Sequence, residues 1–335
     1  MEKKIQHPYL MFLGDVADQL SAKTAQGIVD WRPEWCLGKL RLPHCKADLP
    51  LPEMTLDQAL DAGVKTVIIG VANRGGVFSP HWIPVLLQAL EKGFDLASGL
   101  HQKLTDYPEL KLASERYGRK LFDVRHPNQD FNVGTGKKRT GKRLLTVGSD
   151  CSIGKMYTAL ACEKEMKLRG IHVDFRATGQ TGIFIAGSGV SIDAVVADFI
   201  SGAVEHITPD NNPNHWDIIE GQGSLFHPSY AGVSLGLLHG AQADMLVMCH
   251  DPSRPHMRGL PHYSLPDLDR CIEANLNAGS LTNSSVRCVG LSLNTSTYSV
   301  DEAQNVIAEY KNRYKLPVVD PVRTGVSVLV DAILA

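Results

Sequence analysis

The stretch from Leu144 to Met156 constrains the fold of this 335-residue chain more than any other part of its sequence. An apolar run ends at Gly148, a short polar turn follows, and Gly154-Lys155 opens a helical pattern. This order of strand, glycine-bounded turn and helix is typical of a P-loop, where backbone N–H groups, the helix N-terminal dipole and a lysine hold phosphate. The sequence therefore predicts a phosphate-binding loop formed by consecutive residues, namely Gly148, Ser149, Asp150, Cys151, Ser152, Ile153, Gly154, Lys155 and Met156.

One position of this loop departs from the usual pattern. Met156 follows the lysine, where P-loops usually carry Ser or Thr, whose hydroxyl binds Mg²⁺ in nucleotide triphosphatases. Thr158 does not replace that hydroxyl, because residues two positions apart on a helix point to different faces. We therefore expect phosphate binding without the full apparatus for triphosphate hydrolysis, and we expect Met156 to pack in the helix core.

The pattern of strands and helices predicts two domains. Residues 1–135 contain three apolar runs that precede helical stretches, at 10–13, 66–69 and 121–125, which indicates a smaller N-terminal α/β (Rossmann-like) domain. Residues 136–335 are predicted to form the P-loop-containing domain. The glycine-rich, basic segment 132–142 is interpreted as a solvated linker, although its lysines also allow a phosphate-binding interpretation.

Strands and helices alternate regularly after Arg143. We predict strands at 171–176, 216–220, 245–249 and 286–291, and helices at 154–169, 193–206, 267–278, 301–314 and 324–334. Repeated β-α alternation favours an α/β fold with a doubly wound parallel sheet and helices on both faces. In such sheets ligands bind beyond the carboxyl ends of the strands.

Composition narrows the class of protein and its surroundings. A formal net charge of −2 gives no general attraction to nucleic acid or to an anionic membrane. Seven cysteines, an odd number without a C-x-x-C pair, favour a reducing compartment over a disulfide scaffold. The apolar run from Tyr9 to Leu13 is too short for a signal-peptide core or a membrane span, so we expect a cytoplasmic protein.

Two further loops are expected beside the P-loop. The first, at 177–182, carries Thr178 and Gln180 among small residues that allow close approach of a ligand, although a flexible connector has the same composition. The second begins with Glu220 directly after a strand and continues through Gln222. An acid in that position suits general-base or metal-water chemistry, and its alternative is a solvated charge at a strand end.

Arginine side chains mark two more candidate sites for anions. Arg254 and Arg258 lie in a Pro-rich loop after a strand and can bind carboxylate or phosphate through paired N–H groups. Arg74 belongs to Asn73-Arg74-Gly75-Gly76, which also suits a simple surface turn. The histidines of the Pro-rich loop are six residues apart, which is not a recognised zinc spacing, so we expect no metal.

Three of these motifs together resemble the DgcN-type D-glutamate N-acetyltransferases, a P-loop family long known only as a domain of unknown function. The resemblance extends over essentially the whole chain and is carried by 148–156, by Glu220-Gly221-Gln222-Gly223-Ser224-Leu225-Phe226-His227-Pro228 and by His256-Met257-Arg258. A looser similarity links the P-loop and the Glu220 loop to dethiobiotin-synthetase-like enzymes, in which Thr follows the lysine.

The resemblance implies transfer of an acetyl group from acetyl-CoA to the amine of D-glutamate, in D-amino-acid catabolism. The P-loop would then hold the phosphates of CoA, and Arg254, Arg258 or Arg74 would bind the carboxylates of the acceptor, with Thr178, Gln180 and Gln222 as further substrate contacts. Glu220 is the first candidate for the base that deprotonates the amine, His227 the second and Asp150 the third. Backbone amides of 221–224 would stabilise the tetrahedral oxyanion.

Two other classes stay open at this point. One is a Mg-ATP- or GTP-dependent ligase or kinase of the dethiobiotin-synthetase-like class, with Glu220 organising Mg²⁺. The other is a non-enzymatic nucleotide sensor, against which the several polar loops at one sheet edge argue. For either enzyme class we expect small-molecule substrates and a symmetric homo-oligomer, since twofold assembly is the commonest arrangement of soluble enzymes.

Overall fold

The computed structural model describes residues 5–72, 76–127 and 129–335 of the chain. Among them, eleven strands were found. In chain order they are β1 Tyr9–Gly14, β2 Cys36–Arg41, β3 Thr66–Ile69, β4 Asp95–Ser98, β5 Leu121–Asp123, β6 Lys142–Gly148, β7 Val173–Arg176, β8 Trp216–Ile219, β9 Met245–His250, β10 Arg287–Leu293 and β11 Val318–Val319.

Eleven α-helices lie in the same described ranges. They are α1 Lys23–Trp31, α2 Leu56–Asp61, α3 Ile83–Glu91, α4 Pro108–Tyr117, α5 Lys155–Leu168, α6 Gln180–Ala186, α7 Ile200–Ile207, α8 Ala231–Ala241, α9 Leu268–Ser280, α10 Val300–Tyr314 and α11 Ser327–Leu334. Within those ranges of the chain, no helix is both long enough and apolar enough to cross a membrane.

The strands form two sheets, and every pairing between named strands is parallel. The first sheet has the order β2-β1-β3-β4-β5, and the second has the order β11-β10-β9-β6-β8-β7. The predicted α/β class with parallel sheets is therefore confirmed. Strands β2, β4 and β11 were not expected from the sequence. In β4, Asp95 and Ser98 interrupt the apolar pattern although both are buried.

The contacts of the chain divide it into two units whose boundaries differ from those drawn on the sequence. The first unit contains residues 1–129 together with 179–194, and the second contains 130–178 and 195–335. Helix α6 therefore packs in the first unit, where Ile183, Phe184 and Ile185 are almost fully buried. Pattern analysis predicts helices and strands but does not indicate which sheet an inserted segment covers.

Two local predictions are wrong in detail. The helix expected at 193–206 begins only at Ile200, and Ile192–Ala194 is a 3₁₀ turn of the first unit. The segment 132–142 is exposed at most positions, as expected, but it is not a free linker. The backbone N–H of Gly136 donates to the Glu205 carboxylate at 2.9 Å, and the buried Arg139 donates to the Gly240 carbonyl at 2.6 Å. These hydrogen bonds fix the segment to the second unit.

Candidate functional site

The P-loop joins the carboxyl end of β6 to the N-terminus of α5, at the middle of the second sheet. Strand β6 lies between β9 and β8, and β7 follows β8. Because all four strands are parallel, the residues that follow them reach the same sheet edge. The structure thus brings Thr178, Glu220 and His250 to the edge that carries the P-loop.

Lys155 is almost fully buried at the start of α5, and its Nζ donates a hydrogen bond to the Asp150 carbonyl at 2.7 Å. Burial lowers the pKa of this ammonium, because desolvation disfavours the charged form. Its stem runs past Gly221, where an added Cβ would lie 3.0 Å from the lysine Cδ and 1.7 Å from the Thr146 carbonyl oxygen. Only glycine therefore fits at position 221 without displacing the P-loop strand.

Asp150 is fully buried within the loop and has three hydrogen-bond donors. Its Oδ2 accepts from Nη1 of Arg254 at 2.7 Å and from the backbone N–H of Arg258 at 2.8 Å, and its Oδ1 accepts from the Cys151 N–H at 2.7 Å. This carboxylate ties the loop that follows β9 to the P-loop. As the third candidate base it is poorly placed, because it is fully buried and ion-paired with Arg254.

Arg254 spans the P-loop from outside. Besides the ion pair with Asp150, it donates to the Cys151 carbonyl at 2.7 Å and to the Ser152 carbonyl at 3.1 Å. The structure therefore places the guanidinium expected to bind a substrate carboxylate against the loop itself. Arg258 differs: its side chain is exposed, and the structure gives its guanidinium no hydrogen bond among the residues it describes.

Thr178, Glu220 and Gln222 lie together, as their positions after neighbouring strands predict. The nearly buried Glu220 accepts the Thr178 N–H on Oε2 at 2.9 Å, and its carbonyl accepts the Thr178 hydroxyl at 2.6 Å. Nε2 of Gln222 is 3.4 Å from that hydroxyl oxygen. The Gly221 N–H donates to the Thr146 hydroxyl, so this amide of the proposed oxyanion site is already in use.

His227 is buried below the loop, and both of its ring nitrogens are engaged. Nδ1 accepts the Ser229 N–H at 3.2 Å, and Nε2 lies 3.2 Å from the Arg258 carbonyl, to which it donates in the neutral tautomer that this pairing assigns. Asp150, Cys151 and His227 hold potential metal-ligand atoms within 4.8 Å of one another. Each Asp150 oxygen and both ring nitrogens of His227 already have a hydrogen-bond partner, so a metal at this group would have to displace them.

One polar pair at this sheet edge was not predicted from the sequence. The Ser149 hydroxyl oxygen lies 2.8 Å from Nδ1 of His250, the last residue of β9, and both residues are buried. Burial lowers the pKa of His250 to about 4, so the imidazole is neutral at pH 7. The sequence did offer one indication of this pair, since His250 ends strand β9, which is adjacent to β6.

Two other residues lie away from their expected positions. Gln180 belongs to the first unit, where its Oε1 accepts from Nη1 of Arg125 at 3.2 Å. Met156 is half-buried rather than in the helix core, while Thr158 is buried and hydrogen-bonded to Ser292 at 2.7 Å. Arg74, the remaining anion-binding candidate, lies outside the described residues.

Comparisons with known proteins identify both domains. Residues 132–330 match the family model described as "Domain of unknown function (DUF1611_C) P-loop domain". Residues 41–127 match "Domain of unknown function (DUF1611_N) Rossmann-like domain". The two matches agree with the predicted order, a Rossmann-like domain followed by a P-loop domain.

Similar proteins cover the chain from end to end. It is 54% identical over 331 residues to a D-glutamate N-acetyltransferase of Tritonibacter scottomollicae, with 99% of each chain covered. It is 51% identical over 327 residues to a D-glutamate N-acetyltransferase of a Pseudoalteromonas species, with 98% of each chain covered. The crystal structure of a DUF1611 family protein from Anabaena variabilis superimposes with a TM-score of 0.86 at 31% identity, covering 98% of this chain and 99% of that one.

Proposed function

The chain belongs to the DUF1611 family, and on that basis we propose that it transfers an acetyl group from acetyl-CoA to the amino group of D-glutamate. The observation that carries the proposal is the full-length identity of 54% and 51% to two relatives named D-glutamate N-acetyltransferase. The proposal therefore rests on both domains and not on the P-loop alone.

The geometry of the P-loop supports the donor half of this proposal. CoA carries a pyrophosphate and a 3′-phosphate, which the N-terminal amides of α5 and the buried Lys155 can hold as static anions. No phosphoryl group leaves during acetyl transfer, so the hydroxyl that Met156 lacks is not needed. The exposed Arg258 offers a further cation for an anionic group of either substrate.

The reaction itself balances without a metal-activated water. The neutral amine of D-glutamate attacks the thioester carbonyl, the new C–N bond forms, and the C–S bond breaks to release the CoA thiol. The ammonium must first lose a proton, and such assisted proton transfer is worth about 10²–10⁴-fold in rate. We propose Glu220 for this step, because its carboxylate follows strand β8 at the sheet edge that carries the P-loop. Glu220→Gln, confirmed folded, should then lose turnover.

A direct assay tests the activity. The full chain is incubated with D-glutamate and acetyl-CoA, and N-acetylglutamate is measured by mass spectrometry, with L-glutamate and ATP·Mg²⁺ in parallel reactions. We expect product from D-glutamate and acetyl-CoA. Absence of product, together with Mg²⁺-dependent phosphate release from ATP, would instead favour the ligase or kinase class.

A matched pair of lysine variants tests the donor site. Lys155→Ala removes the buried cation of the P-loop, whereas Lys164→Ala removes an exposed lysine from the same helix. Loss of charge-assisted hydrogen bonds should weaken acetyl-CoA binding by roughly 10–100-fold in the first variant, measured by calorimetry. Equal affinity in the two variants would remove the P-loop from CoA binding.

A further inference from the structure

The first unit has its own cavity, at the position where its strand order reverses. In the order β2-β1-β3-β4-β5, the chain turns to opposite sides of the sheet at β1 and β3, and a doubly wound fold binds ligands beyond the carboxyl ends of such a pair. A cavity of about 450 Å³ lies there. Its walls come from the residues after β1 and from those before α3, including Asp15, Asp18, Ser21, Phe78, Ser79 and Trp82. This volume lies within the range of small-molecule sites, which is about 300–1,000 Å³.

Asp15 directly follows the carboxyl end of β1, and two side chains hold its carboxylate in place. Its Oδ1 accepts the indole N–H of Trp82 at 2.8 Å, and its Oδ2 lies 2.9 Å from Nε2 of His81. The indole can reach it because Gly14 has no side chain: an added Cβ would lie 2.5 Å from the Trp82 ring. The indole hydrogen bond, the largest influence, holds the pKa of the Asp15 carboxyl below its usual value, so this residue is charged at neutral pH.

The acidic side chains of the cavity indicate the charge of the ligand that it can bind. Each Asp15 oxygen retains acceptor capacity, since a carboxylate offers about four lone-pair sites. Asp18 adds a second carboxylate, whose Oδ1 accepts from the Ser21 N–H and hydroxyl. Among the described lining residues there is no lysine or arginine, and Phe78, Pro80 and Val77 supply apolar surface. The charged side chains among the described lining residues are therefore both acidic, and a cation with an apolar body fits them.

We propose that this cavity binds a small organic amine, with the carboxylate of Asp15 as the counter-ion of its ammonium group. The site goes beyond the proposed acetyl transfer, because D-glutamate carries two carboxylates that Asp15 and Asp18 would repel. Its occupant is therefore a second ligand, recognised by an ammonium–carboxylate pair and by contact of its apolar part with the wall.

The indole N–H of Trp82 gives a direct spectroscopic readout. The chain has four tryptophans, so ¹⁵N-tryptophan labelling of the full-length protein gives a simple spectrum, and Trp82→Phe assigns the signal. We titrate n-butylammonium, its uncharged analogue 1-butanol, and D-glutamate. We expect n-butylammonium to shift the Trp82 signal and to bind about tenfold or more tightly than 1-butanol, with no shift caused by D-glutamate.

Variants separate the counter-ion from general effects. Asp15→Asn should abolish the preference for n-butylammonium over 1-butanol, and Asp15→Glu should retain part of it. The control is Asp57→Asn, which removes a surface carboxylate of the same unit that pairs with Lys92, and it should leave the preference unchanged. No preference in the wild type, or the same preference in Asp15→Asn, would overturn the proposal. A shift by D-glutamate that Asp15→Asn removes would also overturn it, by assigning the cavity to the acceptor. The NMR titration does not depend on acetyltransferase activity, so either proposal can be contradicted while the other stands.

Discussion

At the scale of single residues, hydrogen bonding decides which of the candidate groups remain available for substrates. Asp150 and Arg254 are both polar residues of loops that reach the same sheet edge, and the sequence gives each a role toward a ligand. In the structure they bind each other at 2.7 Å, and Arg254 also holds two carbonyls of the P-loop. Both side chains therefore hold the P-loop in shape, whereas the exposed Arg258 guanidinium has no hydrogen bond among the described residues.

A double-mutant cycle tests this role. Arg254→Met leaves the fully buried Asp150 carboxylate without its cation, and it should lower the free energy of unfolding by about 3–5 kcal/mol. Asp150→Asn combined with Arg254→Met removes both charges and should regain most of that loss. Urea unfolding measures each variant. A single variant within about 0.5 kcal/mol of the wild type would show that the pair does not stabilise the loop.

The buried His250 predicts a pH dependence of stability. Its pKa is about 4 in the folded protein against 6.5 for the free side chain, so between these values the unfolded chain binds a proton that the folded chain does not. Stability from this group is complete above pH 6.5 and is lost as the pH falls toward 4. We expect the free energy of unfolding to fall by about 2 kcal/mol between pH 7 and pH 5 from this residue alone.

His250→Gln should remove that part of the pH dependence, while His172→Gln, an exposed histidine of the same unit, should not. Urea unfolding at both pH values gives the comparison. Identical pH profiles for His250→Gln and the wild type would contradict the assignment.

At the scale of elements, close backbone approach sets the shape of the site. Strand β8 continues into Gly221, whose Cα lies so near the Thr146 carbonyl of β6 that a methyl group would overlap it at 1.7 Å. The same contact lets the Gly221 N–H donate to the Thr146 hydroxyl at 3.0 Å. The Glu220 loop and the P-loop are thereby fixed to each other through neighbouring strands.

Two glycine variants test the importance of this approach. Gly221→Ala should lower the free energy of unfolding by about 3 kcal/mol, because backbone must move, and it should weaken acetyl-CoA binding. Gly232→Ala, in α8 where an added Cβ meets nothing within 4 Å, should raise stability by about 0.5–1 kcal/mol. Thermal and urea unfolding check both, and an undisturbed Gly221→Ala would contradict the observed contact.

At the scale of the whole molecule, the chain crosses between its two units three times. After β7 the segment 179–194 joins the first unit, where Tyr9 donates its hydroxyl to the Phe184 carbonyl at 3.4 Å and Arg125 pairs with Asp193 at 2.6 Å. Residues 179–194 therefore complete a first unit whose other residues end at position 129.

A fragment experiment tests this completion. Residues 1–129 alone should be less stable and should bind a hydrophobic dye, because the surface that covers Ile183, Phe184 and Ile185 becomes exposed; each such side chain contributes roughly 1.5–3 kcal/mol when buried. Fusing residues 179–194 to the fragment through a Gly-Ser linker should restore stability, and Phe184→Ala in the fusion should reduce it again. A fully stable fragment 1–129 would show that the segment is dispensable.

Much of the fold was predictable because it depends on local patterns. Apolar runs such as 144–147 and 245–249 and the glycine-bounded turn at 148–154 each carry their signal within a few residues. Strand β4 was missed because Asp95 and Ser98 obscure its pattern, although Asp95 accepts the Lys120 N–H at 2.8 Å. In the site, the convergence of Thr178, Glu220 and Gln222 was predicted from strand ends, but the partners of Arg254 and His250 were not.

The sequence by itself determined the P-loop, the α/β class and the resemblance to the D-glutamate N-acetyltransferases, because these depend on residue order and spacing along the chain. Only the tertiary structure decided that Arg254 binds Asp150, that His250 faces Ser149, that residues 179–194 complete the first unit, and that Asp15 lines a cavity. Each of these depends on contacts between residues that are distant in sequence. Such contacts arise from the packing of sheets and loops, on which the periodicity of a single segment carries no information.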